Sequence, residues 1–424
     1  MRNRKRAFVF GFFLLLAASG FAQANPIVPA RETITRYTLP AEKLAKSEAL
    51  YNVSVRLMLA STAYGFVLLL AFLYAHVGPR LRNFSETVTT GVRRQGFLMV
   101  PLFLLLWIGL QLPPQIYGHH LSLAYGLSIQ RWGSWFGDWG KSLIIEVAVG
   151  TAAITGAYAL MRTSPRRWWL WFWTISIPFV VFFVFLSPIV IEPLFDKFEP
   201  LAPRHPQLVA EIEKVAHHGG LDIPPDRMFE MRASRKVTTL NAYVTGIGAS
   251  KRVVVWDNTI RDLTIPQTLF VFGHEMGHYV MNHIWKGLAF FTVLLFVAYY
   301  LGARVGQWAV DRFGPRLGIR GLSDWASLPL LILILAVFSF FTEPVDSAFS
   351  RYLEHRADQY GLEVIHGIVP DPNQAAAQAF QALGENSLAY PNPNRLLVFW
   401  TYDHPPIADR LEFVLKDKPW ENAR

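Results

Sequence analysis

The stretch Val271-Phe-Gly-His274-Glu275-Met-Gly-His278-Tyr-Val280 holds two histidines four residues apart, with a glutamate directly after the first. Residues four apart on an α-helix lie one turn apart on the same face, so His274 and His278 can offer two imidazole nitrogens to a single ion. Glu275 sits one step round the helix, beside that ion. A carboxylate so placed suits a base that takes a proton from an attacking water, and H-E-x-x-H on a helix is the pattern of a metallopeptidase zinc site. The flanks supply the helix. Thr264 is a good N-cap, Gln267 completes a capping box, and Pro266 is tolerated in the first turn. Apolar Leu269 to Phe272 follow, which puts the motif inside the helix rather than on a loop.

A hydrolytic zinc centre takes three protein ligands and keeps a fourth position open. The chain has no cysteine, so the third ligand must be histidine or carboxylate, and disulfides are excluded. Glu354 is the candidate, within Ser350-Arg-Tyr-Leu-Glu354-His-Arg-Ala-Asp358. Asp358, one turn further on, is placed to accept a hydrogen bond from a ligating histidine and fix its tautomer. His355 is a rival ligand, turned about 100° away on the same helix. His404 is followed by Pro405 and Pro406, which stiffen the chain after it. It is either a donor to the oxyanion of a tetrahedral intermediate or an ordinary turn histidine. Arg410 either assists it or pairs with an acidic neighbour.

The elements around these residues are those of a membrane protein. With 52% hydrophobic and 14% aromatic residues in 424, the chain is too apolar for an ordinary soluble enzyme. Several runs reach the roughly 20 residues that cross a bilayer. The net charge of +9 does not indicate nucleic acid, because the arginines sit beside apolar runs as membrane flanks do. Residues 1–24, with a basic start, an apolar run and Ala22-Gln-Ala24, read as a signal peptide or an uncleaved first transmembrane helix. Apolar segments follow at about 57–77, 96–112, 142–162, 168–191, 286–304 and 326–342. This gives N-terminal membrane helices in 25–191, a zinc peptidase domain in 192–285, two more membrane helices in 286–347 and a C-terminal catalytic portion in 348–424. Within the peptidase domain the pattern predicts a helix over 206–217 and strands at 227–231, 241–246 and 252–256. The last two form a hairpin leading into the motif helix, whose strand edge could pair with an extended peptide.

Several separated motifs then agree. The chain resembles the type I CAAX prenyl proteases, integral-membrane zinc metallopeptidases. The match runs through Leu112-Pro-Pro-Gln-Ile-Tyr117, Pro193-Leu-Phe-Asp-Lys-Phe198, Asn241-Ala-Tyr243, Gly273-His-Glu-Met-Gly-His278, Ser350-Arg351 with Glu354 and Ala357-Asp358, and His404-Pro-Pro406 with Arg410. The resemblance implies a mainly α-helical polytopic fold, six or seven transmembrane helices around a chamber, closed by a zinc domain with a small sheet. It implies one Zn2+ per chain on His274, His278 and Glu354, with Glu275 as general base and Asp358 behind a ligand. Asn241, Ala242 and Tyr243 would lie on the substrate-binding strand, and His404 and Arg410 near the scissile carbonyl.

The expected partners are a peptide or protein substrate, lipidated or not, and the lipid bilayer, with no nucleic acid. Short loops rich in arginine (Arg80, Arg82, Arg93, Arg94; Arg162, Arg166, Arg167; Arg312, Arg316, Arg320) alternate with poorer ones. By the positive-inside rule the rich loops are cytoplasmic, and the zinc domain faces the periplasm of a bacterial inner membrane. Two alternatives to a CAAX-type endopeptidase stand beside it. One is an envelope quality-control protease with no prenyl requirement; the other is a non-enzymatic channel or chaperone with a structural metal.

Overall fold

The computed structural model describes residues 33–246 and 251–421, so the expected signal peptide or first membrane helix at 1–24 lies outside the described residues. The membrane part opens with α1 (Ala41–Tyr74), α2 (Val77–Val88), α3 (Val92–Leu110), α4 (Leu112–Ala124), α5 (Trp132–Thr163) and α6 (Trp168–Val190). The peptidase part follows with α7 (Glu192–Phe195), α8 (Pro206–His218), α9 (Asp257–Asp262) and α10 (Ile265–Val280). Two long helices, α11 (His283–Leu317) and α12 (Leu328–Ile365), return through the membrane before α13 (Pro372–Asn386), α14 (Arg395–Thr401) and α15 (Ile407–Lys416).

Among the described residues, six helices are long and apolar enough to cross a bilayer, and each overlaps one of the six expected apolar segments; α1 and α3 end at Tyr74 and Leu110, short of the expected 77 and 112. In four of them only 11–17% of the most apolar window is buried within the protein. A solid bundle would cover a whole face of each helix. Most of the surface of these four windows is therefore not packed against the rest of the chain.

The helices overrun their apolar segments, and α12 does so furthest. It continues past the membrane into the peptidase part, so the boundary expected at 347/348 falls inside an unbroken helix. That continuity carries Glu354 and Asp358 from the membrane end to the metal centre.

The arginine-bearing ends of the helices gather on one side. Arg82 Nη1 donates to Asp324 Oδ2 at 2.5 Å, Arg162 Nη2 to the Ser323 carbonyl at 2.8 Å, and Arg320 Nη2 to Glu86 Oε2 at 3.0 Å. The peptidase part joins the opposite ends. Lys236, fully buried, places its Nζ 2.8 Å from Asp138 of α5 and 3.0 Å from the carbonyl of Phe195, which closes α7.

Four short strands form one sheet in the order β1 (Phe198–Pro200), β2 (Met228–Met231), β4 (Arg252–Trp256), β3 (Ala242–Thr245). The expected hairpin is the antiparallel β3–β4 pair, with Ala242 opposite Val255 and Val244 opposite Val253. β2 lies parallel to β4 on its other side. The uninterrupted Val253-Val-Val-Trp256 run reflects burial on both faces. Val253 and Val255 enter the core formed with α8, α10 and α13, while Val254 and Trp256 pack with Met231 and Ala233.

Candidate metal centre

Helix α10 begins as its sequence requires. The capping box of Thr264 and Gln267 is formed, with the Thr264 backbone N–H donating to Gln267 Oε1 at 3.0 Å. Its middle turn then crosses α12 at two glycines. A Cβ on Gly273 would stand 2.7 Å from Val364 Cγ1 and 3.3 Å from Gly361 Cα; one on Gly361 would stand 3.0 Å from the His274 nitrogen. Only side-chain-free positions allow this approach. It brings Glu354 and Asp358 of one helix against His274 and His278 of the other.

The four groups converge. His274 Nε2 and His278 Nε2 are 3.2 Å apart, and the Glu354 oxygens lie 3.4 Å from the first and 3.5 Å from the second. One ligand atom from each of His274, His278 and Glu354 falls within 4.8 Å of the others. Glu354 Oε2 is buried without a hydrogen-bond partner, with Arg410 Nη2 no closer than 3.5 Å, so its lone pairs remain open to a metal ion. Two imidazole nitrogens and one carboxylate oxygen are also the donor types zinc takes. The residues therefore fit a divalent metal. His355 is turned away from this cluster, its ring packed on Phe413 with centroids 4.1 Å apart.

Behind the cluster, Asp358 Oδ1 is 2.8 Å from His274 Nδ1. That contact puts the His274 proton on Nδ1 and leaves the Nε2 lone pair facing Glu354 and His278. Arg410 is buried and commits its guanidinium to Asp358, with Nε to Oδ2 at 2.8 Å and Nη2 to Oδ1 at 2.5 Å. Its Nη2 is also 3.5 Å from Glu354. Arg410 thus pairs with an acidic neighbour and stands behind the ligands. His404 is half exposed at the front of the cluster, with Nε2 3.2 Å from Glu354 Oε1 and Nδ1 2.9 Å from Asp403 Oδ1.

Glu275 is half-buried, and its carboxylate makes no hydrogen bond or ion pair among the described residues. Burial pushes its carboxyl up to about 7, held back by His274, with Glu354 adding to the rise and His404 and Arg410 opposing it. A carboxyl poised there can both take and return a proton near neutrality. His278 is pushed down to about 3 by burial and then by His274, whereas at His274 the contacts to Asp358 and Glu354 outweigh burial and raise it to about 10; a metal bound at Nε2 displaces that proton.

Ala242 and Tyr243 open β3, one of the two edge strands, which packs beside α10, and Asn241 directly precedes it. The Asn241 backbone is fixed by Thr259 on both sides: its N–H donates to Thr259 Oγ1 at 2.8 Å, and its carbonyl accepts from the same hydroxyl at 2.7 Å. Tyr243 donates its hydroxyl to Glu192 Oε2 at 2.8 Å, tying the strand to the end of the membrane domain.

Residues 202–418 match the model of peptidase family M48. The chain belongs to that family. Residues 24–197 also match the model of the CAAX prenyl protease N-terminal domain, described as five membrane helices. An uncharacterized metalloprotease of Bacillus subtilis, YhfN, is 32% identical over 416 residues, covering 98% of this chain and 94% of that one. The CAAX prenyl protease 1 homologue of Dictyostelium discoideum is 25% identical and that of Homo sapiens 24%; this chain spans 61% and 66% of their respective lengths. Among solved structures, Ste24p of S. mikatae superposes with a TM-score of 0.78 at 22% identity, covering 89% of this chain and 90% of that one. The M48 chain is thus a metallopeptidase embedded in a membrane, and the channel and chaperone readings are not favoured.

Sequence spacing missed two parts of the site. One is the Gly273–Gly361 crossing. The other is His283, whose Nδ1 lies 3.1 Å from His278 Nδ1. A third histidine five residues after H-E-x-x-H was the signal available.

Proposed function

We propose that the chain is an endopeptidase that uses one Zn2+, held by His274, His278 and Glu354, to cleave an extended peptide laid along β3. The observation that carries this is the convergence of two imidazoles on the buried Glu354 carboxylate, one oxygen of which has no hydrogen-bond partner, with Glu275 beside them. Zinc supplies a Lewis acid for a carbonyl oxygen and lowers the pKa of a water.

The chain's own residues do the rest. Thr259 and β4 hold the backbones of Asn241 and Tyr243 in place, and Ala242 between them faces the open edge of β3, where strand-edge hydrogen bonds orient the peptide. Glu275 takes a proton from the attacking water as its oxygen bonds to the scissile carbon. His404 donates to the oxyanion that develops. When the C–N bond breaks, Glu275 passes its proton to the leaving amine, so the base is regenerated. Arg410 and Asp358 hold His274 in the tautomer that frees Nε2.

The test pairs zinc content with cleavage of one peptide, with and without a farnesyl group, for wild type and Glu275→Gln. The variant is expected to keep zinc and lose turnover; cleavage that survives it overturns the assignment. Preference for the farnesylated peptide assigns the chain to prenyl-peptide processing. Indifference to the lipid assigns it to envelope protein quality control.

We also propose that the peptidase part faces the periplasm of a bacterial inner membrane. It lies opposite the end where Arg82, Arg162 and Arg320 gather, and that end is cytoplasmic by the positive-inside rule. Because the chain has no cysteine, Lys214→Cys on exposed α8 gives one thiol to probe. A membrane-impermeant maleimide is expected to label it from outside the inner membrane. Labelling only after lysis reverses the orientation.

A further inference from the structure

The two metal-binding histidines are backed differently. His274 rests on a carboxylate, Asp358, itself clasped by Arg410. Behind His278 the group in contact among the described residues is not a carboxylate but another imidazole. His283 Nδ1 lies 3.1 Å from His278 Nδ1, with the rings edge to face at a centroid distance of 5.1 Å and an angle of 76°. His283 is 4% exposed, so water does not compete for that contact.

Helix geometry alone would not put it there. On a continuous helix, residue 283 would point about 140° away from residue 278. The chain breaks instead. α10 ends at Val280, Asn282 takes φ 58° in the left-handed region, and α11 starts afresh at His283. Asn is among the few non-glycine residues that adopt this conformation readily. The turn folds His283 back against the ring it would otherwise leave.

We propose that His283 is a positioning residue for His278: its Nδ1 lone pair accepts the His278 Nδ1–H, which fixes the His278 tautomer and turns the bare Nε2 toward His274 and Glu354. His283 then carries its own proton on Nε2. The acceptor is neutral, so it orients the ligand without adding a third carboxylate to a centre that already has Glu354 as a ligand and Asp358 behind His274. The inference rests on the reading that His278 holds the metal.

The experiment is done on full-length protein carrying Glu275→Gln, so that metal binding is read without turnover. Zn2+ affinity is measured by competition with a chromophoric chelator, and the Co2+-loaded protein gives an absorption spectrum of the ligand field. His283→Phe keeps the ring volume and removes the acceptor. His283→Asn returns an acceptor oxygen near the Nδ1 position. The Phe variant is expected to bind Zn2+ about 10–100-fold more weakly with an altered Co2+ spectrum, and the Asn variant to recover within a few-fold of the parent. Equal affinity in the Phe variant overturns the inference, and so does equal loss in both variants, which is a packing effect. If the Phe variant does not fold, failure of the Asn variant to bind Zn2+ and reproduce the parent spectrum overturns it. A parent that binds no Zn2+ at all fails the metal-centre reading itself, a result distinct from the other three.

Discussion

Arg410 grips both oxygens of Asp358 through two different nitrogens, and Asp358 in turn holds His274 Nδ1 at 2.8 Å. All three side chains are buried, so the row has little water to fall back on. Arg410→Ala leaves a buried carboxylate without its cation, which costs about 3–5 kcal/mol. It also loosens the group that sets the His274 tautomer, a change worth about 10–100-fold in metal affinity. Arg410→Lys keeps the charge but not the two-point fork, and should fall between. Thermal unfolding and zinc content after dialysis are the measurements. An Ala variant with native melting and full zinc would remove Arg410 from this role.

The crossing of α10 and α12 leaves no room for a methyl group at Gly361. A Cβ there meets the His274 nitrogen at 3.0 Å and its Cα at 3.3 Å, and backbone atoms cannot swing aside. Gly361→Ala should therefore push the helices apart by tenths of an ångström and destabilise by about 1–3 kcal/mol. Glu354 moves with its helix, so zinc retention should fall too. Gly287→Ala on α11 is the control, since a Cβ there meets nothing within 4 Å. It should be neutral or stabilising, alanine being the better helix former. Equal behaviour of the two variants, read by melting temperature and zinc content, would refute the packing account.

This contrast marks what a sequence can carry. His274, Glu275 and His278 were legible because their relation is local, fixed by 3.6 residues per turn and announced by the Thr264–Gln267 cap. Glu354 was legible because the chemistry demanded a third ligand and cysteine was absent. Gly361 was not, because its meaning depends on which distant helix it meets. His283 was hidden for the opposite reason. It is close in sequence, but helix periodicity points it away, and only the left-handed Asn282 reverses that. The β3–β4 hairpin followed from a short turn, whereas the parallel partner β2 is joined through a register no local pattern specifies.

Asp196, in the Pro193-Leu-Phe-Asp-Lys-Phe198 motif, makes stability depend on pH. Its carboxyl is raised from its ordinary 3.8 to about 8 by burial, with Lys236 opposing and Asp138 and Glu192 adding to the rise. Lys236 is 3.8 Å away, and Lys141 pairs with Asp138 at 3.1 Å from the same face. A group whose folded pKa is raised contributes stability that is full below its unfolded value and lost as pH rises through the folded value. Between pH 4 and 8 this contribution should therefore decline. Lys236, lowered to about 8 by burial, stays charged through most of that window in both states. Asp196→Asn should flatten the decline in a melting-temperature series from pH 4 to 8. A series parallel to wild type would show that Asp196 is ionised in the fold throughout.

His404 separates chemistry from metal binding. Its side chain is 49% exposed, at the open front of the cluster, and it lies outside the three-residue ligand set. Removing it should leave the fold and the zinc content as they are, because neither Asp358 nor the two imidazoles rest on it, and Glu354, whose Oε1 it approaches at 3.2 Å, is held by its place on α12. In the proposed mechanism what disappears is a donor to charge that exists only in the transition state. Loss of one such donor costs about 10²–10³ in kcat and leaves KM nearly unchanged, since ground-state binding does not use it. His404→Ala should show that split, and His404→Gln, which can still donate, should recover part of the rate. Steady-state cleavage of a fluorogenic peptide, run beside zinc analysis of the same samples, decides it. A variant that loses zinc in proportion to rate would make His404 a support of Glu354, while unchanged turnover would leave it an ordinary turn histidine.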